Sequence, residues 1–266
     1  MNNIEIAKET LSIIKRRHYT VSRKKIYLPD IDIEKVVVYS PADGEKLLKK
    51  DFSGKQGEMC TFSVVNKDSF EAAKCFDKPF VMNFANAHRA GGGFELGANA
   101  QEEALCRCST LFASISSAEA KEMYRYNNSH ISAVESDYML LSPEVCVFRD
   151  AEGQLMENYF TAAVITVPAP NKRGAAMFAS NKLISETFIR RIRIMLAIAA
   201  ENGYRNLVLG AWGCGAFGNK PKSVAEYFRQ VLIDEGYGKC FDNVCFAIYG
   251  STDSRNFVVF NDVLGS

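Results

Sequence analysis

The sequence predicts an α/β domain in which a largely parallel sheet is covered by helices on both faces. Short apolar segments typical of buried strands alternate with segments whose apolar residues have helical spacing. The length of 266 residues lies at the upper end of what one hydrophobic core can organise. We therefore expect a single domain over residues 1–266, with residues 1–34 as a helical N-terminal extension packed on it.

The first predicted element is an amphipathic helix from Ile4 to Arg17, where charged residues separate the apolar positions. Strands are then predicted at KVVVYS near residue 37, CTFSVVN from Cys60, PFVMNFAN from Pro79, AAVITVP from Ala162, NLVLGAW from Asn206 and NVCFAIYG from Asn243. Helical patterns lie between them at residues 45–50, 68–75, 100–118, 180–201 and 222–234. Gly203 follows the longest of these as a C-terminal signal. Residues 142–160 are interpreted as a surface excursion.

Charge and cysteine usage exclude several classes of function. The formal net charge of +1 gives no global field that would attract nucleic acid or an anionic membrane. The eight cysteines are scattered without a CxxC pair and the three histidines lie far apart, so we expect reduced thiols, no metal and no cofactor. No segment approaches the roughly 18 apolar residues of a membrane span, and the N-terminus has no signal-peptide pattern. These observations predict a soluble cytoplasmic protein.

Two predicted strands run directly into glycine-rich loops. PFVMNFAN leads to Gly91, Gly92 and Gly93, and NLVLGAW leads to GCGAFG. Because ligands of such sheets sit beyond the carboxyl ends of the strands, we expect the two loops to form one cleft. Glycines there let backbone amides converge on an anion, or let a sugar lie flat on the backbone. The alternative is that GGG is only a flexible turn between a strand and a helix.

Two adjacent glutamates follow the first loop in the segment NAQEE. Asn99 suits a helix N-cap and Glu102 follows it at capping-box spacing, which is the structural alternative for that glutamate. Beside an open cleft, one carboxyl could hold sugar hydroxyls while the other transfers a proton. A helix N-terminus favours an ionised carboxylate, whereas a general acid must hold a proton. The negative charges of Glu102 and of the phosphates of a bound nucleotide must therefore oppose the effect of the helix on Glu103. Asn86 could read sugar hydroxyls or serve only as a turn residue.

The second loop, GAWGCGAFGNK, carries two aromatic residues and a cysteine. We expect Trp212 to be a core anchor and Phe217 to close over a ligand, although core packing is the commoner role for aromatic residues beside strands. Cys214 has no histidine or aspartate near it in sequence, which argues against a nucleophile.

Basic residues stand near both loops. His88 and Arg89 are interpreted either as phosphate contacts or as solvated loop residues. The segment VPAPNKR, which contains Lys172 and Arg173, is interpreted as a wall of the cleft.

These motifs resemble those of poly(ADP-ribose) glycohydrolases. GGGFELGANAQEE is similar to the family signature, in which GGG precedes QEE by six to eight residues, and LCRCSTLF resembles the helix continuation of the bacterial-type branch. GAWGCGAFGNK resembles the second ligand loop, and the likeness spans about residues 35 to 250. The resemblance implies a macrodomain-like three-layer α/β/α fold with a mixed, largely parallel central sheet. It departs at Ala90, where many relatives have proline, which predicts a less rigid loop.

The same resemblance implies roles for individual residues. The glycines and the second loop bind the ADP-ribose diphosphate, Asn86 and Glu102 engage the terminal ribose, and Glu103 is the acid/base. Phe217 covers the ligand. The implied catalytic residues are Glu103 and Glu102, and the implied substrate-binding residues are Asn86, Gly91, Gly92, Gly93, Gln101, Gly213, Cys214, Gly215, Ala216, Phe217 and Gly218.

The expected function is hydrolysis of the ribose–ribose O-glycosidic bond of poly(ADP-ribose) on modified proteins, acting from the chain ends and releasing ADP-ribose. Two alternatives remain open on the sequence. One is a hydrolase for mono-ADP-ribose conjugates, and the other is a non-catalytic ADP-ribose-binding module. No sequence-specific nucleic acid or membrane partner is expected.

Overall fold

The computed structural model describes residues 1–52, 57 and 60–265. Its strands are β1 His18–Val21, β2 Lys24–Tyr27, β3 Val37–Tyr39, β4 Thr61–Val65, β5 Pro79–Ala85, β6 Met139–Arg149, β7 Leu155–Pro168, β8 Asn206–Leu209 and β9 Asn243–Ala247. Its α-helices are α1 Asn3–Arg16, α2 Pro41–Leu47, α3 Ser69–Ala73, α4 Gln101–Cys108, α5 Leu111–Ile115, α6 Lys121–Ser129, α7 Asn181–Glu201, α8 Pro221–Arg229 and α9 Arg255–Leu264. The strand, loop and helix order along the chain follows the alternation that the apolar pattern predicts.

Seven strands form one mixed sheet in the order β3-β6-β7-β5-β8-β9-β4. The five strands from β7 to β4 are mutually parallel, whereas β6 runs antiparallel to both β3 and β7. The prediction of a largely parallel sheet is therefore confirmed. The carboxyl ends of β7, β5, β8 and β9 meet at one edge, which is where a ligand site is expected in such a sheet.

Helices cover both faces of the sheet, because successive strand residues alternate between two separate cores. Along β5, Phe80 and Met82 pack with α2, α7, α8 and α9, while Val81 packs with α3, α4, α5 and α6. The central strands β5, β8 and β9 are buried on both sides, which explains their nearly continuous apolar sequences. The structure is the three-layer α/β/α arrangement expected above.

The interpretation of residues 142–160 as a surface excursion is wrong. These residues form most of the antiparallel pair β6 and β7, with Val145 opposite Ala162 and Val147 opposite Phe160. Polar residues at the turn and two register shifts hide the strand pattern in the sequence, although Val145 to Phe148 are fully buried. The helix predicted over 100–118 is also two helices, α4 and α5, that are separated at Ser109 and Thr110.

The N-terminal residues form α1 and the small hairpin of β1 and β2. Tyr19 and Ile26 of this hairpin pack on Phe148 of β6 in a third apolar cluster. The Tyr19 hydroxyl donates a hydrogen bond to the Met156 carbonyl oxygen at 2.8 Å. In the described part of the chain, none of the helices has the length and apolar content that a bilayer crossing requires.

Candidate active site

The second glycine-rich loop and the first turn of α4 line one cavity of about 1080 Å³ that reaches from the carboxyl edge of the sheet to the turn between β6 and β7. Its lining residues do not include Asn86, Gly91, Gly92, Gly93, Glu102, Cys214 or Gly218. Of the residues predicted from the sequence, the cavity is lined by Gln101, Glu103, Gly213, Gly215, Ala216 and Phe217. The cavity also extends to Ala247, the last residue of β9, and to Ile248 and Tyr249, which follow it. It is therefore a trough that runs across several strand ends, and Glu103 is the acidic member of the QEE segment that lines it.

The glycines of the first loop are required by close contacts and not by flexibility. Gly91 and Gly92 have φ angles of +66° and +54°, a region that favours glycine. A Cβ atom at Gly92 would lie 2.5 Å from Glu103 Oε1 and 3.3 Å from Glu102 Oε2, and one at Gly91 would lie 2.9 Å from the Phe112 ring. The two carboxylates thus approach the same backbone atom. The interpretation of GGG as only a flexible turn does not fit this packing.

The first turn of α4 places Glu103 against the glycine loop. Its Oε1 accepts a hydrogen bond from the Gly93 amide at 2.9 Å, and its Oε2 accepts one from the Ala100 amide at 3.1 Å. The prediction that Asn99 caps this helix, with Glu102 as its partner, is wrong by one residue: Ala100 is the N-cap and Glu103 is the third helical residue. Because alanine has no side-chain acceptor, only the glutamate half of a capping box is formed.

Glu102 lies deeper, beside the end of β5, and is 3 % exposed. Its Oε2 accepts a hydrogen bond from the Asn86 amide at 2.8 Å, and its Oε1 lies 3.4 Å from the donating Asn83 Nδ2. Burial raises the pKa of Glu102 to about 8, with a smaller contribution from the charge of Glu103, and the two hydrogen bonds oppose the shift. At neutral pH the ligand-free site therefore favours a proton on Glu102.

The proton on Glu102 makes the stability of the fold depend on pH. Between about pH 4.5 and pH 8 the folded chain holds a proton that the unfolded chain has lost, so the free energy of unfolding falls as the pH rises through this range. We therefore compare the free energy of unfolding of Glu102→Gln with that of the wild type at about pH 5 and about pH 9. The difference should shift in favour of the variant by at least about 2 kcal/mol from the lower to the higher pH. Urea denaturation of both proteins at the two pH values measures this. Glu95→Gln, a control at a half-exposed position, should show the same pH dependence of stability as the wild type. If the difference between Glu102→Gln and the wild type did not change with pH, the proton could not be assigned to Glu102.

Polar side chains from β5 and α4 hold the two glutamates in place. Gln101 Oε1 accepts from the Phe84 amide at 2.9 Å, and its Nε2 donates to the Met82 carbonyl at 2.7 Å and to Ser69 Oγ at 3.0 Å. The side-chain amide of Gln101 is thus engaged within the protein. These bonds tie the start of α4 to the strand, while Gln101 also lines the cavity. Its role in substrate binding stays a prediction.

Sequence reasoning missed Asn83, which is fully buried within β5. Its Nδ2 donates to Thr166 Oγ1 at 3.1 Å, and its Oδ1 has no partner among the described residues. The signal was an asparagine inside an otherwise apolar strand, which is costly to bury without a purpose. Asn86, in contrast, was predicted, and its Oδ1 accepts from the His88 and Arg89 amides. It therefore acts as a turn residue, and its NH₂ group has no hydrogen bond to the described residues. Its contact with substrate stays a prediction.

A buried arginine supports the segment between GGG and QEE. Arg107 is 5 % exposed and lies one helical turn after Glu103. It donates to the Ala98 carbonyl at 2.5 Å and to Asn99 Oδ1 at 2.7 Å. Thr10 of α1 in turn donates to the Arg107 carbonyl at 2.7 Å. The N-terminal helix therefore helps to fix the loop that presents the Ala100 amide to Glu103.

The second loop is anchored by its aromatic residues and by the loop that follows β7. Trp212 is fully buried and its Nε1 donates to the Val167 carbonyl at 3.1 Å, which confirms it as a core anchor. Phe217 is half-buried and lines the cavity. Asn219 Nδ2 donates to the Pro170 carbonyl at 2.8 Å, so the VPAPNKR segment adjoins this loop. Burial raises the pKa of the Cys214 thiol to about 12, which agrees with the absence of a nucleophilic role.

Two further cavity residues were not singled out from the sequence. Tyr249 is 76 % exposed and, with Asn256, lines the end of the trough beyond β9. An exposed aromatic ring at the end of a cleft is typical of a stacking contact. The sequence signal was weak because Tyr249 directly continues the apolar run of β9.

The sheet order, the two helical layers and the glycine loops at one edge define a macrodomain-like protein whose cleft carries a carboxylate suited to proton transfer. A family model described as the microbial-type PARG catalytic domain, where PARG is poly(ADP-ribose) glycohydrolase, matches residues 7–150. This chain belongs to that family of glycosidases, which hydrolyse poly(ADP-ribose). A comparison with curated protein sequences found no match.

Solved structures agree with the family. The chain is 33 % identical to poly(ADP-ribose) glycohydrolase from Thermomonospora curvata, with 98 % of this chain and 99 % of that chain covered and a TM-score of 0.92. The same enzyme bound to the inhibitor ADP-HPD is similar with a TM-score of 0.89 at 33 % identity, over 98 % of both chains. The enzyme from Deinococcus radiodurans in complex with ADP-ribose is 33 % identical, with 89 % of this chain and 97 % of that chain covered and a TM-score of 0.81.

Proposed function

We propose that this chain releases ADP-ribose from the ends of poly(ADP-ribose) on modified proteins, with Glu103 as the acid/base. The observation that carries this assignment is that Glu103 lines the cavity while its Oε1 accepts a hydrogen bond from the Gly93 amide. The complexes of relatives with ADP-ribose and ADP-HPD support the ligand class. Action from the chain ends rests on the resemblance to the bacterial-type branch.

The bound unit lies along the trough. The second loop holds the diphosphate through the amides of Gly215, Ala216 and Phe217, which have no hydrogen-bond partner among the described residues. The glycines of the first loop let the ligand approach closely, since the amides of Gly92 and Gly93 already bond to the Arg89 carbonyl and to Glu103. The terminal ribose lies beside Asn86 and Glu102, and Phe217 covers it. The far end, near Tyr249, then receives the adenosine. Glu102 carries a proton in the free site, so it can both donate and accept hydrogen bonds with the ribose hydroxyls.

Hydrolysis needs one proton donor that becomes a base. Protonated Glu103 donates its proton to the 2′-oxygen of the leaving unit as the bond from C1″ of the terminal ribose to that oxygen breaks. The resulting oxocarbenium-like centre is stabilised by the nearby diphosphate. Water then attacks C1″ and gives its proton to the Glu103 carboxylate, which restores the acid. The products are ADP-ribose and a polymer that is one unit shorter.

Bound substrate changes the electrostatics around Glu103. The helix N-terminus and the amides of Gly93 and Ala100, which donate to Glu103, direct positive partial charge at its carboxyl group. The negative diphosphate and the exclusion of water by a bound nucleotide act in the opposite direction. The site is therefore primed by the substrate that it cleaves.

We also propose a cytoplasmic location. All eight cysteines are free thiols, which suits a reducing compartment. The modified protein that carries the polymer is a partner only through the polymer itself.

The test is chromatographic measurement of ADP-ribose released from poly(ADP-ribosyl)ated protein, together with calorimetry of ADP-ribose binding. We expect both release and binding at micromolar concentration, which corresponds to about −8 kcal/mol. Binding without turnover of any conjugate would make the chain a non-catalytic ADP-ribose-binding module. Turnover of mono-ADP-ribosylated protein without turnover of polymer would make it a mono-ADP-ribosyl hydrolase.

A further inference from the structure

The sheet order and the cavity indicate the side on which the bound unit lies. The cavity lining includes residues that follow β8 and β9, out to Tyr249, and the bound ADP-ribose unit is placed along them; the cavity also reaches Ala169 after β7 and the turn between β6 and β7. On the other side of β5 lie β7 and β6. Because Ala169 begins the loop that follows β7, this loop borders the cavity and offers the remainder of a polymer, attached beyond Glu103, a path away from β8 and β9. This step rests on the proposed function.

The loop after β7 carries two cations at this place. Lys172 donates its amide to the Phe217 carbonyl at 3.0 Å, and the Arg173 side chain lies within 3.0 Å of the position that a Cβ atom on Gly218 would take. Lys172 Nζ has a weak bond to Asn181 Oδ1 at 3.4 Å. Among the described residues, neither cation has a carboxylate within ion-pair distance. Both charges are therefore available to an anion beside the second ligand loop.

The same loop exposes an aromatic ring. Phe178 is 91 % exposed and Met177 is 57 % exposed at the end of a short 3₁₀ helix, Ala175–Phe178. Exposed large apolar side chains that lie together mark a binding surface more often than a random position does. Cations beside an exposed ring fit a nucleotide, since the cations contact phosphate and the ring stacks on a base.

The loop that follows β5, which contains His88 and Arg89, offers less positive charge to an anion. Arg89 is paired with Glu95 at 3.6 Å. His88 is held by Asn128, whose Oδ1 lies 3.1 Å from its Nδ1 and whose Nδ2 donates to its carbonyl. The positive charge that is open to a ligand beyond Glu103 is therefore concentrated on the loop after β7.

We propose that Lys172, Arg173 and Phe178 form a subsite for the penultimate ADP-ribose unit, the one that leaves with the polymer. The two cations bind its diphosphate and Phe178 stacks on its adenine. The subsite gives the enzyme a preference for polymer over conjugates in which the leaving group lacks a nucleotide. It acts on the leaving side of the scissile bond and adds no chemistry of its own.

The test compares two substrates that share the same reacting ribose. One is the ADP-ribose dimer with the ribose–ribose bond, and the other is ADP-ribose with a p-nitrophenyl group on C1″. The variants are Phe178→Ala and the double variant Lys172→Gln with Arg173→Gln, which removes both charges and keeps the Cβ and Cγ methylenes of each side chain. Lys182→Gln is the matched control, because Lys182 is 84 % exposed on α7 and its carboxylate neighbour, Glu186, is 3.9 Å away.

We expect kcat/KM for the dimer to fall about tenfold or more in each variant, while kcat/KM for the p-nitrophenyl substrate stays within about twofold of the wild type. The double variant should also lose part of the salt dependence seen with the dimer. Equal losses on both substrates, or unchanged kcat/KM for the dimer, would overturn the subsite. A wild type that cannot cleave the dimer would overturn the proposed function itself, and the subsite with it.

Discussion

Glu103→Gln is expected to lower kcat for poly(ADP-ribose) hydrolysis by at least a hundredfold, which corresponds to about 2.7 kcal/mol of transition-state stabilisation. Glutamine is nearly isosteric but cannot donate a proton to the leaving 2′-oxygen or accept one from water. The effect should appear in kcat, because binding of the diphosphate does not involve the carboxylate. Single-turnover release of ADP-ribose from polymer measures it directly.

The substitution has a structural consequence that must be separated from the chemical one. Glu103 accepts backbone amides through both oxygens, and glutamine can accept through one only. We expect a stability loss of about 1 kcal/mol and nearly unchanged ADP-ribose affinity. Glu95→Gln makes the same change at a half-exposed position and should retain full activity. Retention of more than a tenth of the wild-type kcat by Glu103→Gln would remove Glu103 as the acid/base.

The strands and the two loops could be predicted because their signals are local. Apolar runs that end in glycine marked β5 and β8, and buried parallel strands need little else. The β6 strand could not be recognised, because its pairing with β7 depends on a partner that follows it and on register shifts. The same limit explains the wrong N-cap: the choice of Ala100 over Asn99 depends on Arg107, which takes the Asn99 side chain for itself.

The candidate site was predictable in its residues more than in its electrostatics. The motif named Glu102 and Glu103, but only the packing shows that Glu102 is the more deeply buried of the two and that Glu103 lines the cavity. Burial depends on Asn83, Thr166 and the end of β5, which come from distant parts of the chain. The raised pKa of Glu102 is a property of that assembly and could not be read from two adjacent glutamates.

Gly92→Ala is expected to lower hydrolysis strongly while leaving most of the fold intact. The new Cβ would lie 2.5 Å from Glu103 Oε1, a distance that neither atom tolerates, and the φ angle of +54° adds strain. The carboxylate must move, which breaks its bond with the Gly93 amide. We expect a loss of at least a hundredfold in kcat/KM and about 1 to 3 kcal/mol in the free energy of unfolding.

Gly203→Ala separates the effect of backbone strain from that of the displaced carboxylate. Gly203 has a φ angle of +75°, and a Cβ atom there would have no other atom within 4 Å. Its variant should lose about 1 kcal/mol of stability and keep wild-type activity, because its strain lies far from the cleft. Urea denaturation and ADP-ribose release on both variants make the comparison. If Gly92→Ala lost stability alone, in parallel with Gly203→Ala, the glycine would serve the turn and the close approach of Glu103 would be irrelevant to catalysis.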